Sequence, residues 1–407
     1  MTVLVGTPSG FRRRAAILRH DNFRLLFFAT LGSGVGNWLA LIALQSDVYR
    51  RTNSGLWVSA VLITTILPTI AIGLLFGPLV DRLSRKWLMI TSDLGRLAVF
   101  AALPFAHSAA EIVGLSAIAG IGNAFFRPAV LAGVPNLVSD DELHDANALL
   151  QLVDWTTTAG GPALGGAIVA ASGPHLAYWL NAVTFGVSVA FVAWIPARLL
   201  QSERPIGRGH WRDIGDGFAA VLRSRLLVTV LVAWTIAQIS NGFVNVSEIF
   251  LAKRALNAGY FGFGMLWSGT GIGLVLGALV VSALTDRYEA RALYPRALIV
   301  WAVGTAAAAA AANIWVAVAA MIVSGLGNGI AVVQNITFVQ RVAPDNVRGR
   351  ALAAIMSANF SMLLVAFIVA GPLADSLGPR RVYSLGAAAL LVAAFVGMRL
   401  LRHEEPA

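Results

Sequence analysis

A charged side chain inside a lipid-crossing segment is costly, so each one is first read as a working group. Arg96, Arg127 and Asp154 are among those that sit within runs of apolar residues. At 1.5 Å per helical residue, Arg96 lies about 15 Å in from Lys86, Arg127 about 13 Å in from Asn136, and Asp154 about 12 Å in from Ala146. The depths coincide, which allows an Arg127–Asp154 pair. An acid beside an arginine stays ionised, whereas burial favours its neutral form, so a movement parting the two would load a proton onto Asp154. The alternative is a permanent structural ion pair. Asp93 precedes Arg96 by three residues, the spacing of a local pair on one helical face, with a share in proton coupling as the other reading.

A second pattern is neutral. Gln238, Asn241, Asn245 and Glu248 recur at steps of three, four and three, which puts four polar groups on one face of an otherwise apolar helix. Such a stripe is expected to face a cavity, with substrate and proton contacts as its chemistry and Glu248 as a second proton-coupling candidate. Hydrogen bonding between helices is the competing account. Asn37, Asn123, Asn328, Gln334 and Asn335 are further candidates for the same cavity.

Other chemistries are excluded. There is no cysteine, so thiolate metal sites, disulfides and cysteine nucleophiles are absent. The six histidines fall in loops or at span ends without metal-ligand spacing, and no metal site is expected. Only Lys86 and Lys253 could serve a phosphate-binding loop, and neither follows a glycine as that loop requires. No nucleophile–base arrangement occurs. The chain is expected to be neither an enzyme nor a user of cofactors.

These residues must be held by apolar elements. Of 407 residues 57% are hydrophobic and 12% charged, with a mean hydropathy of +0.75, against roughly 25% charged in soluble domains. Apolar runs fall at about 23–44, 55–80, 87–106, 112–135, 146–171, 176–197, 226–250, 260–284, 293–312, 314–338, 350–373 and 382–401, each near the ~20 residues a span needs. All twelve must be helices, because lone strands leave their backbone unsatisfied in lipid. With the N-terminus placed inside, 22 Lys and Arg fall on the inner side and 6 on the outer, which predicts both termini in the cytoplasm. That loop bias also accounts for the net charge of +10 without nucleic acid. The 28 Arg to 2 Lys balance fits a GC-rich bacterial source, and the expected place is the bacterial inner (cytoplasmic) membrane.

The longest connector separates two sets of six spans, predicting an N-terminal six-helix bundle at 1–198, a cytoplasmic linker at 199–225 and a C-terminal bundle at 226–407. Trp211, Ile214, Phe218 and Leu222 in the linker are spaced as one face of an amphipathic helix lying at the membrane interface. An offset of 205 residues superposes Asp81-Arg82 on Asp286-Arg287, Gly120-x-Gly122-Asn123 on Gly325-x-Gly327-Asn328, Asp140 on Asp345, Gly173-Pro174 on Gly378-Pro379 and Tyr178 on Tyr383. The chain is therefore a duplication. Two pseudo-symmetric bundles that rock about a midplane site are the machinery of alternating access.

Gly77, Asp81, Arg82, Arg85 and Lys86 together resemble motif A (G-x-x-x-D-R-x-x-R-K) of the major facilitator superfamily. The resemblance implies the all-α, twelve-span major facilitator fold and makes this cluster, with Asp286 and Arg287 of the second copy, a conformational latch. Gly160, Gly161, Pro162, Gly165 and Gly166 resemble motif C, associated in that superfamily with proton-exchanging exporters. A plain small-residue packing face is the other account of it. The arginine of motif B is replaced by Ser116. Phe23-Arg24-Leu-Leu, Thr52-Asn-Ser54, Asp93-x-x-Arg96, Phe125-Phe126-Arg127-Pro128-Ala129 and Ala146-Asn147-Ala148-Leu149 are similar to the enterobactin and macrolide exporter branch. The expectation is a secondary transporter that exports a small amphipathic compound in exchange for protons, a monomer whose partners are substrate, protons and membrane lipids. A lipid or lysolipid flippase or importer on the same fold, and a non-transporting sensor or assembly subunit, are the alternatives.

Overall fold

The computed structural model describes residues 16–80, 83–201, 210–285, 287–344 and 347–401. Twelve long helices make up almost all of it: α1 (Asp21–Thr52), α2 (Gly55–Val80), α3 (Arg85–Ala102), α4 (Ala109–Gly133), α5 (Leu143–Ser172), α6 (Pro174–Trp194), α7 (Arg225–Phe250), α8 (Gly259–Thr285), α9 (Ala290–Ala310), α10 (Ile314–Val342), α11 (Arg348–Leu377) and α12 (Pro379–Leu401). Eleven of them are long and apolar enough to cross a membrane, α5 being the exception. A shorter linker helix covers His210–Leu222.

Local signals set many of the ends. Ser108 caps α4 by accepting the Glu111 amide at 3.2 Å, while Glu111 reaches back to the His107 amide at 2.9 Å. Asn313 caps α10 through the Val316 amide, and Ser224 caps α7 through that of Leu227. The duplicated Gly-Pro pairs are joints. Gly173 (φ 76°) and Gly378 (φ 79°) turn the chain through backbone space that L side chains avoid, and Pro174 and Pro379 open the next helix with φ already set.

The chain divides into two compact units: residues Met1–Asn53 with Val61–Ile206, and Ser54–Ala60 with Gly207–Ala407. Their internal packing repeats. In the first unit α1 packs on α5 and α6, and α3 on α4 and α6; in the second α7 packs on α11 and α12, and α9 on α10 and α12. Apolar cores lie inside each, around Phe23, Met89, Phe126 and Leu149 in one and around Val230, Tyr294, Trp301 and Phe338 in the other.

Burial in lipid gives helices little hydrophobic reason to associate, so close backbone approach through small residues does much of the holding. The duplicated Gly-x-Gly serves this in both units. A Cβ on Gly120 would stand 2.2 Å from the Thr64 carbonyl of α2, and one on Gly325 would stand 2.1 Å from the Thr270 carbonyl of α8. Two residues on, a Cβ on Gly122 would meet Arg96 at 2.9 Å, and one on Gly327 the Trp301 amide at 2.3 Å. Arg96 and Trp301 are themselves 205 residues apart.

The linker helix packs part of its apolar face within the second unit. Phe218 and Val221 pack inward with Leu227, Val339 and Ile355 of the second unit, whereas Leu222 is 66% exposed. Gly217 lies against the Arg350 carbonyl, and Arg350 pairs with Asp216 at 2.8 Å, which joins the helix to α11. The side chains of Trp211 and Ile214 lie outside the described residues.

Candidate functional site

The first unit brings Arg127 of α4 and Asp154 of α5 together. Nη1 donates to Oδ1 at 2.9 Å and Nη2 to Oδ2, a two-pronged pair in which a planar guanidinium matches a carboxylate. Pro128 follows Arg127 directly inside α4, and Thr157, a turn beyond Asp154, returns its hydroxyl to the Val153 carbonyl at 2.9 Å. The pair is not sealed: the side chains keep 39% and 32% of their accessibility.

Asp93 and Arg96 form a pair of the opposite kind. Arg96 donates to Asp93 within α3, and both side chains are buried. The guanidinium lies between the rings of Phe126 at 4.7 Å and Phe185 at 4.3 Å, held by aromatic faces as well as by charge. Gly122 supplies the room for its stem. A buried, ring-clamped pair is fitted to hold α3, α4 and α6 together, whereas the Arg127–Asp154 pair stays partly exposed.

The α7 stripe divides. Asn241 donates to Gln238 at 2.8 Å, and Asn241 and Asn245 are half-buried while Gln238 and Glu248 are buried. Gln238 thus uses its side-chain oxygen within the helix. Glu248 is 1% exposed, forms no ion pair among the described residues, and leaves Oε1 without a hydrogen-bond partner. In the first unit Asp47 of α1 is also buried, yet it is neutralised by Arg50 and Arg51 and lies within 3.3 Å of the Tyr178 hydroxyl. Asn328, Gln334 and Asn335 of α10 are buried with unpartnered polar atoms, while Asn37 and Asn123 are half-buried.

In the motif A stretch, Arg85 donates to the Ala132 carbonyl at 2.7 Å, and Lys86 to the carbonyls of Ala193 and Ile195 at 2.6 Å each. These cations cap the C-terminal ends of α4 and α6 within their own unit, where unpaired carbonyls and the helix dipole favour positive charge. Asp81, Arg82 and Asp286 lie outside the described residues, as do the side-chain surroundings of Gly77; Arg287 is exposed. In motif C, Gly161 and Gly165 receive α1, with Trp38 Cβ 2.6 Å from a Cβ placed on Gly161 and Ile42 Cβ 3.2 Å from one on Gly165. Gly160 faces open space, and Pro162 is buried inside α5. The second unit keeps this crossing with the glycine on the other helix: Gly242 of α7 receives Ala366 of α11, the residue 205 after Gly161.

Some contacts carry no sequence signal. Glu142, just before α5, binds Arg19 and His20 at 2.9 Å each and the Ser139 hydroxyl at 2.8 Å. The Ser139 hydrogen bond foremost, with those of Arg19 and His20, holds the Glu142 carboxyl down at about 2. Asp375, near the end of α11, accepts from the Gly55 amide at 2.7 Å and the Ser54 hydroxyl at 2.9 Å, capping the first turn of α2. Both partners belong to the second unit.

Comparison with known proteins decides the family. The model of the transmembrane secretion effector family, of the major facilitator type, matches residues 13–406. The chain belongs to that family. It is 25% identical over 401 residues to the multidrug efflux pump Tap of Mycolicibacterium fortuitum, covering 94% of this chain and 96% of Tap. It is also 25% identical over 356 residues to the MFS-type transporter YfiS of Bacillus subtilis, 85% of each chain. Among solved structures, the nucleoside transporter NupG superposes with a TM-score of 0.79 at 15% identity over 93% of this chain and 99% of NupG. A bacterial homologue of the iron transporter ferroportin gives 0.73 at 17% identity over 94% and 99%. At those identities the likeness is one of fold, and the fold is that of the major facilitators. The protein is a multi-pass membrane transporter of the drug-exporter type.

Proposed function

We propose that this transporter exports a small amphipathic compound in exchange for protons, by alternating access, with Asp154 as the proton-carrying group and Arg127 as its counter-ion. The observation that carries the reading is the half-exposed, two-pronged Arg127–Asp154 pair. While the guanidinium holds the carboxylate, no proton is needed. Once the two part in a low-dielectric setting, the carboxylate binds a proton rather than persist as an unpaired charge. Glu248, buried without an ion pair, is the second protonatable group in this scheme, and Asp93–Arg96 serves as a structural clamp.

The likeness to Tap supports outward movement of varied small molecules. Amides and aromatic rings, rather than dense charge, suit an amphipathic substrate; Asn37, Asn123, Gln238, Asn241, Asn245, Asn328 and Asn335 are its candidate contacts. The excess of Lys and Arg on one set of loops supports both termini in the cytoplasm of a bacterial inner membrane. The working form is proposed as a monomer of two bundles, 1–198 and 226–407.

The test is accumulation of a panel of fluorescent amphipathic compounds in efflux-deficient cells, with the protein or an empty vector and with or without a protonophore. Lower accumulation that the protonophore abolishes is the expected result. Equal accumulation for every compound, with the protein shown in the membrane, overturns the substrate class.

A further inference from the structure

The second unit contains a cavity of about 440 Å³, built where the start of α7, the end of α8, the turn into α9 and the end of α10 converge. Arg291 of α9 and Arg341 of α10 line it together with Glu289, with Thr337 and Phe338 on its α10 wall. Gln334 also lines it, yet is only 1% exposed, and neither its Nε2 nor its Oε1 has a hydrogen-bond partner. A buried amide with both atoms unmet costs stability unless something enters to satisfy it.

Loop arginines are expected on this side of the chain as a topology signal alone. That signal asks for charge, but neither for a cavity nor for an unsatisfied amide about two helical turns before Arg341 on the same helix. The volume is that of a small-ligand site, and the polar groups are few and placed on separate elements, as such sites require. Among the described residues nearby, Arg287 is exposed and Arg296 lies over the Tyr288 ring at 5.4 Å, so arginines outnumber the single Glu289; Asp286 lies outside the described residues.

We infer that this cavity is a binding site for a phosphate ester, with Arg291 and Arg341 gripping the phosphate and the Gln334 amide bonding to its ester or hydroxyl oxygens. Planar guanidinium groups match phosphate oxygens in paired hydrogen bonds, and Gln334 offers both a donor and an acceptor below them. Two sources present this chemistry: the headgroup of an anionic phospholipid, for which basic pockets between helix ends are suited, and a soluble phosphate. The site is distinct from Arg127–Asp154, which lies in the other unit, and does not depend on the direction of transport or on proton coupling.

The test uses the purified full chain in neutral detergent, with binding of short-chain phosphatidylglycerol, phosphatidylcholine and inorganic phosphate measured separately. Phosphatidylglycerol is expected to bind and phosphatidylcholine not, with affinity weakened about tenfold or more in the Arg291→Gln/Arg341→Gln variant. Gln334→Leu, of similar size and without charge change, is expected to weaken binding too and keeps the test open if the double variant does not fold. Binding of phosphatidylglycerol alone assigns a lipid headgroup, and binding of inorganic phosphate as well assigns a soluble ester. Equal binding of the two lipids with none of phosphate, or phosphatidylglycerol binding untouched in the folded variants, overturns the inference.

Discussion

Arg127 of α4 grips both carboxylate oxygens of Asp154 of α5, with Nη1 2.9 Å from Oδ1, while each side chain keeps about a third of its surface. Two helices are thus joined by a pair that is only partly buried. Replacing Arg127 by Gln leaves Asp154 without its cation, so the proton stays bound through the cycle. Arg127→Gln is expected to fold, to keep downhill movement of substrate, and to lose uphill export by tenfold or more, read as transport with and without an imposed pH gradient.

Asp93 and Arg96 answer differently because both are buried and the Arg96 guanidinium is held by two phenyl rings. Asp93→Asn alone strands a buried guanidinium, at a cost of about 3–5 kcal/mol. The double change Asp93→Leu/Arg96→Met removes both charges at similar volume and is expected to recover most of that stability and the transport. Thermal unfolding in detergent, with transport assayed alongside, checks both. A double variant that is stable but inactive would move this pair into the coupling machinery.

Motif C supplies an internal control. A methyl group on Gly161 meets Trp38 Cβ at 2.6 Å, whereas one on Gly160 meets nothing within 4 Å. Gly161→Ala is therefore expected to cost about 1–3 kcal/mol through overpacking of α5 on α1. Gly160→Ala, on the same motif, is expected to leave unfolding unchanged. Equal effects on folding from the two would contradict the packing account.

Glu142 predicts a pH dependence. Its folded carboxyl titrates at about 2, below the ordinary 4.5, through Ser139, then Arg19 and His20. A depressed carboxyl contributes stability that is fully present above the unfolded value and is lost as the pH falls toward the folded one. Wild type and Glu142→Gln should therefore differ most above pH 4.5 and converge as the pH approaches 2, in unfolding midpoints taken across that range.

Much of this was legible in the chain because membrane helices leave coarse, repeated signals. The twelve apolar runs fall on the twelve long helices, and helical rise alone put Arg127 and Asp154 at one depth. The three-residue spacing of Asp93 and Arg96 placed them on one face. The 205-residue offset foretold equal packing, and Gly122 against Arg96 with Gly327 against Trp301 is its physical content. What stayed hidden depends on partners distant in sequence that carry no signature. Arg85 and Lys86 cap backbone carbonyls at Ala132, Ala193 and Ile195, and any residue supplies a carbonyl. Asp375 finds the Gly55 amide 320 residues away. The α7 spacing marks a face of the helix but not what covers it, and Gln238 and Glu248 are buried there.

The most direct test of the central claim is uphill export by Asp154→Asn in membrane vesicles with an imposed pH gradient, read beside substrate exchange in the gradient's absence. Asparagine keeps the shape of the side chain but can neither release nor bind the proton. The account predicts that exchange survives and uphill, protonophore-sensitive export is lost. Uphill export by Asp154→Asn that remains fully protonophore-sensitive would contradict it.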